Sequence, residues 1–281
     1  MRIFLSGSTS FLGSKFLALY SDSFEIFAFS KNDPETQLDL LDFEKLKKEY
    51  LNYKPDVIIH LAADINYNSE NSKNINIEMS KNIISVAQLT NTPIVFMSSE
   101  SVYGGKENEG DYKEEDPYKA RSPYAQSKVE VEKLIINSGL NYLILRGHRL
   151  VGINKNYKKQ KQFPDTLKSL INHKAVHLDP NKLFNPTLIN HVCTVFVHYI
   201  EKDLGKKIIL NIGVDEVKTY FDFIFDVAKI LNLDTSLIKH DGEEKGWSAN
   251  STLNLNKIHE LKYPTLTYSD LLKIIAEDYF S

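Results

Sequence analysis

Residues 2 to 20 constrain this chain most. Arg2 to Leu5 is a short apolar run suited to a buried strand. It passes directly into a loop of small residues, Gly7-Ser8-Thr9-Ser10-Phe11-Leu12-Gly13, and then into Ser14 to Tyr20, where Phe16, Leu17 and Tyr20 share a helical face. Strand, glycine loop and helix in immediate succession is the setting a phosphate-binding turn requires. Gly7 would permit the tight turn, and Gly13 would let the helix pack close to the strand. Free amides at the helix start would then face a pyrophosphate. The plain alternative is a strand-to-helix turn with no ligand.

The same alternation continues. Strand patterns run over Glu25 to Phe29, Val57 to Leu61, Ile94 to Met97 and Asn141 to Arg146. Helical patterns run over Phe43 to about Tyr53, about Asn74 to Leu89, and a stretch opening at Tyr124, while the alternation of Phe and Ile from Tyr220 to Ile230 is core-like. Asp64 to Lys73 reads as a polar loop. This order predicts an α/β fold, a Rossmann-type doubly wound parallel sheet with helices on both faces and a smaller C-terminal substrate-binding subdomain. The expected division is 1–153 for the dinucleotide-binding part, with later elements returning to it, and 154–281 mostly for substrate.

In such sheets, ligands bind beyond the carboxyl ends of the strands. The residues at those ends are therefore the candidates. The second strand ends in Ser30-Lys31 rather than in an acid, which suits a 2′-phosphate better than ribose hydroxyls. Asp39-Leu40 follow. The third strand ends in Leu61-Ala62-Ala63, small enough for a flat ring to approach the backbone, and His60 within it reads as a core histidine. The fourth ends in Ser98-Ser99-Glu100-Ser101-Val102-Tyr103-Gly104, and the fifth in Arg146-Gly147-His148-Arg149.

Tyr124 and Lys128 stand four apart at the start of a helix, on one face. An ammonium there should lower the phenol's pKa and make it a proton donor and acceptor. The spacing alone is common: Tyr50 with Lys54 and Tyr157 with Lys161 repeat it. What distinguishes Tyr124 is Ser99 at a strand end two dozen residues earlier.

Composition excludes other classes. A net charge of −3 over 281 residues argues against a nucleic-acid binder. No window approaches the roughly 20 apolar residues a membrane span needs. The single cysteine, Cys193, excludes an internal disulfide and reads as a buried structural thiol, so a reducing, cytoplasmic setting is expected. His173 and His177 are helix-spaced but have no third partner for a metal. Lys155, Lys158, Lys159 and Lys161 form a basic cluster that is either a solvated face or a greeting for a diphosphate.

On the glycine motif at Gly7 and Gly13, Ser99 before Tyr103, Tyr124 with Lys128, and the strand-end segment Arg146 to Gly152, the chain resembles the extended short-chain dehydrogenase/reductase superfamily. Within it, the chain is most similar to the dTDP-4-dehydrorhamnose reductase branch. Asn185-Pro186-Thr187, Leu210 to Gly213, Thr219 to Phe223 and Ser248 to Leu253 are further echoes, although Gly246-Trp247 stand where that branch often carries Arg-Pro. The resemblance implies Ser99, Tyr124 and Lys128 as catalytic residues. It implies Gly7, Ser10, Phe11, Leu12, Gly13, Ser30, Lys31, Asp39, Leu40, Leu61, Ala62, Ala63, Lys128 and Arg146 as cofactor-binding residues. The implied cofactor is NADP (as NADPH), with NAD as the alternative. The implied reaction is reduction of a 4-keto nucleotide sugar in surface polysaccharide synthesis, and no metal is implied. A 4-epimerase with bound NAD and a non-catalytic dinucleotide-binding regulatory subunit remain as alternatives. Members of the superfamily often dimerise through helices, which allows a homodimer. Two departures bear on chemistry. Ser10 replaces the middle glycine, and either crowds the pyrophosphate or contacts it. Glu100-Ser101 replaces the Asp-Glu of a 4,6-dehydratase, and Ser101 is no base.

Overall fold

Six parallel strands form the central sheet. They are β1 (Arg2–Ser6), β2 (Glu25–Phe29), β3 (Val57–His60), β4 (Ile94–Met97), β5 (Tyr142–Gly147) and β6 (Lys207–Ile212), in the spatial order β6-β5-β4-β3-β1-β2. The structure, a computed structural model, describes residues 1–105, 109–157, 163–242 and 249–281. Lys158, Lys159 and Lys161 of the basic cluster, and Gly246 to Ser248, lie outside the described residues.

The register sets the site. Ser6 lies opposite both Phe29 and His60, so β1, β2 and β3 end level. Gly7, Ser30 and Leu61 therefore leave the sheet side by side. The chain crosses from β2 at the edge to β3 on the far side of β1, so the strand order reverses at β1. A crevice at such a reversal is where open parallel sheets bind ligands.

Successive strand residues point to opposite faces. Ile3, Leu5, Val57, Ile59, Val95, Leu143 and Leu145 pack on one face against α1 (Phe11–Tyr20) and, from the C-terminal half, α6 (Ile189–His198). Phe4, Ile58, Ile94, Phe96 and Ile144 pack on the other against α2 (Phe43–Tyr53), α3 (Glu70–Gln88) and α4 (Pro123–Asn137). His60 is a core histidine, held between Ser6 Oγ at 2.7 Å and Ser80 Oγ at 2.9 Å. Cys193 is fully buried.

Helix α3 begins at Glu70, four residues before the start expected from hydrophobic spacing. Ser69 accepts a hydrogen bond from Ser72 N at 3.2 Å, and Glu70 stands in the first turn, favourable to the helix dipole. Capping, not periodicity, fixes that end.

The C-terminal half is divided between two cores. β6 extends the sheet beside β5, and α6 covers it. A third cluster holds α5 (Phe163–Ile171), α7 (Tyr220–Ile230) and α9 (Tyr268–Phe280) together through Phe163, Phe184, Phe223, Ile224, Leu271 and Ile275. Lys15 of α1 reaches Asp278 of α9 at 2.8 Å, tying this cluster back to the sheet.

Candidate active site

The glycine loop is built by close backbone approach. Gly7 sits at φ +78°, a conformation that favours glycine, and a Cβ on it would lie 2.7 Å from the amide nitrogen of Ala62. A Cβ on Gly13 would lie 2.3 Å from the Gly7 carbonyl oxygen. The backbone of Leu61 and Ala62 thus stands directly against the loop, with Ala63 next in the chain. Ser10 is the N-cap of α1: its hydroxyl accepts from Gly13 N at 3.0 Å. The replacement of the middle glycine is therefore used to start the helix. It occupies one amide and leaves those of Phe11 and Leu12 for an anion. Ser8 Oγ, beside them, is buried with no hydrogen-bond partner. A loop of this shape with a buried, unsatisfied hydroxyl fits the diphosphate of a dinucleotide.

At the end of β2, Thr9 Oγ1 donates to Ser30 Oγ at 3.0 Å. Lys31 is largely exposed and pairs with Asp39 at 2.9 Å. Leu40 differs from expectation. It is 3% exposed and packs into the core beneath α2 and α3, and its carbonyl is taken by Asn82 Nδ2 at 2.8 Å. It has no side chain to offer a cofactor.

The catalytic candidates meet at the end of β4. Ser122 caps α4 by accepting from Ala125 N at 3.1 Å, and Pro123 fills the first turn, where its missing N–H costs nothing. Tyr124 and Lys128 follow one turn apart. Lys128 Nζ donates to the Met97 carbonyl at 2.8 Å and lies 4.6 Å over the Phe96 ring and 5.6 Å from the centre of the Tyr124 ring. Burial lowers its pKa to about 8, with Glu132 opposing. The Tyr124 ring meets the ring of Tyr67 edge-on at 4.8 Å, and Tyr124 N donates to the Tyr67 carbonyl at 3.2 Å.

The expected direction of the Tyr124 pKa is reversed. Burial pushes the phenol well above its ordinary range, and Tyr67 and Glu100 push the same way. The desolvation of a phenolate outweighs the ammonium one turn away.

Ser99 caps the short 3₁₀ turn Glu100–Tyr103. Its hydroxyl accepts from Ser101 N at 3.2 Å and Ser101 Oγ at 2.9 Å, and donates to Glu100 Oε2 at 2.7 Å. Burial raises the Glu100 pKa to about 7 against the Ser99 bond, two backbone amides and the charge of Arg149. His148 Nε2 is 3.7 Å from Glu100 Oε1. The same nitrogen lies 2.6 Å from Ser251 Oγ, and Arg149 N donates to His148 Nδ1 at 2.6 Å, so the ring proton sits on Nε2. Burial, then Arg149, lowers the His148 pKa to about 3 and keeps it neutral. The Arg149 guanidinium lies 3.7 Å over the Tyr220 ring.

Arg146 is corrected. Its guanidinium is 1% exposed and donates to both oxygens of Glu132 at 2.6 to 3.2 Å, to Tyr103 and Tyr118 hydroxyls, and to the Glu114 carbonyl. It is committed inside the protein and not open to a cofactor. Conversely, Tyr67, Glu100, His148 and Arg149 surround Ser99 and Tyr124 without having been singled out as site residues. Tyr67, an aromatic in an otherwise polar loop just past β3, carried a signal. The others are drawn in only by the fold. His177 pairs with Asp241 at 2.7 Å, and no cluster of metal-ligating side chains occurs among the described residues. Nor is any helix among them long and apolar enough to cross a membrane.

A family model described as the RmlD substrate binding domain matches residues 1–278. The beta subunit of methionine adenosyltransferase 2 from Bos taurus is 23% identical over 85% of this chain and 74% of its own length. A crystal structure of dTDP-4-dehydrorhamnose reductase from Bacillus anthracis in complex with NADP has a TM-score of 0.85 at 18% identity, covering 99% of this chain and 98% of that one. UDP-glucose 4-epimerase from Thermotoga maritima, solved with UDP-glucose, gives 0.84 at 18% identity over 100% of this chain and 99% of its own. At these identities the structural likenesses establish the fold.

Proposed function

The chain belongs to the RmlD substrate binding domain family, and from that premise we propose that it is an NADPH-dependent reductase of a nucleotide-linked 4-keto sugar, serving surface polysaccharide synthesis. Residues 1–153 would hold the dinucleotide and residues 154–281 mostly the sugar nucleotide. One observation carries the reading. The bond from Lys128 to the Met97 carbonyl, 2.8 Å long, fastens the Tyr124 turn of α4 to the strand end from which Ser99 emerges, across the reversal point from the glycine loop.

When bound, the reduced nicotinamide supplies a hydride to the carbonyl carbon. The protein does the rest. Phe11 and Leu12 would donate their backbone amides to the diphosphate, and Gly7 and Gly13, without side chains, would let the loop close tightly beneath it. Thr9, Ser30 and Lys31 take the 2′-phosphate, Lys31 sharing its charge between that group and Asp39. Ala62 and Ala63 leave room for the adenine side of the cofactor. Ser99 donates to the substrate's carbonyl oxygen, where negative charge develops. Tyr124 delivers the proton, and Lys128 steadies the ribose and the phenol.

The direction of the Tyr124 pKa favours a reductase over an epimerase. Reduction needs a phenol that arrives protonated and gives its proton to an alkoxide, which is downhill even from a weak acid. A 4-epimerase begins by taking a proton from an alcohol and needs the phenolate, which burial disfavours here. The likeness to proteins named as a subunit of another enzyme keeps a second reading alive, that of a dinucleotide-binding subunit without turnover.

The test is turnover of NADPH against a panel of 4-keto sugar nucleotides. Tyr124→Phe should lower kcat on the order of 10³-fold with NADPH affinity nearly unchanged by fluorescence titration. Full turnover in that variant defeats the assignment. Tightly retained NAD without net consumption of reductant would establish the epimerase. Binding of NADPH with no turnover of any substrate would establish the subunit. A lower KM for NADH than for NADPH would remove the role given to Ser30 and Lys31.

A further inference from the structure

We infer that Glu100 is a positioning residue that decides, by holding or releasing one proton, whether the Ser99 hydroxyl is available to the substrate. The inference rests on the donor role given to Ser99 above.

A serine hydroxyl has one proton and two acceptor sites. On Ser99 both acceptor sites are occupied, by Ser101 N at 3.2 Å and Ser101 Oγ at 2.9 Å. The single proton is directed to Glu100 Oε2 at 2.7 Å. With Glu100 ionised, Ser99 is therefore saturated and its proton is turned away from any carbonyl oxygen in the crevice. A charge-assisted bond of this kind is about twice as strong as a neutral one, so a ketone oxygen does not displace it. Once Glu100 is protonated, the carboxyl no longer draws the serine proton, and Ser99 can turn it to the oxygen on which charge develops. The proton lost or gained by Glu100 exchanges with solvent, and nothing else is consumed.

The surroundings make this carboxyl titratable rather than fixed. From its own turn, Ser99 and Ser101 face it. Tyr67 faces it from the loop ahead of α3, and Tyr124 from α4. His148 and Arg149 face it from the segment after β5. The two phenols are neutral, and His148 is neutral with its proton on Nε2 toward Ser251. The Arg149 guanidinium lies against the Tyr220 ring and acts on Glu100 through its field. Burial places the Glu100 titration at about pH 7, where a small change in acidity changes its charge.

The experiment has two arms. In the first, carbon-13 is placed on the glutamate carboxyls, and wild type, Ser99→Ala and Glu100→Gln are titrated by NMR. We expect one resonance, absent from Glu100→Gln, to titrate near neutrality and to move to higher pH in Ser99→Ala, which loses a donor to the carboxylate. Titration in the ordinary glutamate range near 4.3, or no response to Ser99→Ala, overturns the inference whether or not any substrate is known. In the second, kcat is followed from pH 6 to 7.5, below the midpoint of the Lys128 titration at about 8. Wild type should fall about 4-fold across that window, and Glu100→Gln, whose amide carries no ionisable proton, should change far less, keeping only the small slope that Lys128 gives both proteins. Equal slopes overturn the inference while leaving the reductase intact. Absence of turnover at every pH defeats the reductase, and the NMR arm still decides the role of Glu100.

Discussion

Two consecutive serines at the end of β4 lead to two glutamates with opposite fates. Strand alternation sends Ser98 inward and Ser99 toward the crevice. Ser98 Oγ donates to Glu132, which is fully buried and also receives the Arg146 fork and the Tyr118 hydroxyl at 2.8 Å. Arg146 in turn donates to Tyr103, whose hydroxyl continues to Asn211 at 3.0 Å, and Asn211 N closes on Glu114 at 2.7 Å. Ser99 Oγ donates to Glu100, which among the described residues is otherwise faced by backbone amides, the neutral phenols of Tyr67 and Tyr124, a neutral histidine at 3.7 Å and the field of Arg149. The two clusters use the same residue types: glutamate, arginine, tyrosine and serine. Pairing separates them. A carboxylate gripped by a bidentate guanidinium is a brace. One held by a single hydroxyl, beside partners that do not neutralise it, is a switch.

Removing the brace should have the largest effect. Glu132→Ala leaves Arg146 buried at 1% exposure without its counter-charge. That should cost about 3–5 kcal/mol, a fall in Tm on the order of 10 °C for a chain of this size, read by thermal denaturation. Replacing both partners with apolar residues, Glu132→Leu with Arg146→Met, should recover most of the loss. An unchanged Tm in Glu132→Ala would mean the network does not brace the fold.

The switch should show the opposite sign. Glu100 has a folded pKa of about 7 against 4.5 for the free group. Stability from this group is complete below pH 4.5 and is lost as pH rises to about 7. The loss is at most ~3 kcal/mol, and is reduced by the partial exposure of the side chain, 16%. Glu100→Gln should therefore be more stable than wild type at pH 8 and equal to it at pH 4, measured by denaturant unfolding. His60 and His148, both lowered to about 3 by burial, act the other way. Their contribution is present above 6.5 and is lost as pH falls toward 3, so it destabilises wild type and variant alike in acid and cancels in the comparison. A variant less stable than wild type at pH 8 would place Glu100 with Glu132 among the structural acids.

Much of the sheet could be read from residue order, because strand runs and helical spacing are local signals. The spacing of Tyr124 and Lys128 gave proximity on a helix. It could not give the sign of the Tyr124 pKa, which depends first on burial and then on the electrostatics of Tyr67 and Glu100 from separate segments. Arg146 shows the same limit. A strand-end arginine is a reasonable ligand for an anion until Glu132, 14 residues earlier on a packed helix, takes it. Ser10 and Ser69 show a subtler one. Each is a cap, and a cap is legible only when the reader asks where the first amides of a helix find partners. The convergence of Glu100, His148 and Arg149 on Ser99 had no local signature, since it is made by the ends of two adjacent strands.

The smallest expected effect sharpens the contrast most. Ser98→Ala removes one donor from a carboxylate that keeps Arg146 and Tyr118, so it should cost about 1 kcal/mol of stability and leave kcat within about 2-fold. Ser99→Ala removes the cap of the 3₁₀ turn, a loss of similar size, but it also removes the hydroxyl that faces the carbonyl oxygen and should lower kcat by about 10²-fold. Side by side, thermal melts should hardly distinguish the two variants, while turnover should distinguish them by two orders of magnitude. If Ser98→Ala slows turnover as much as Ser99→Ala does, the brace and the switch are one network, and the alternation of the strand does not divide structure from chemistry at this end of β4.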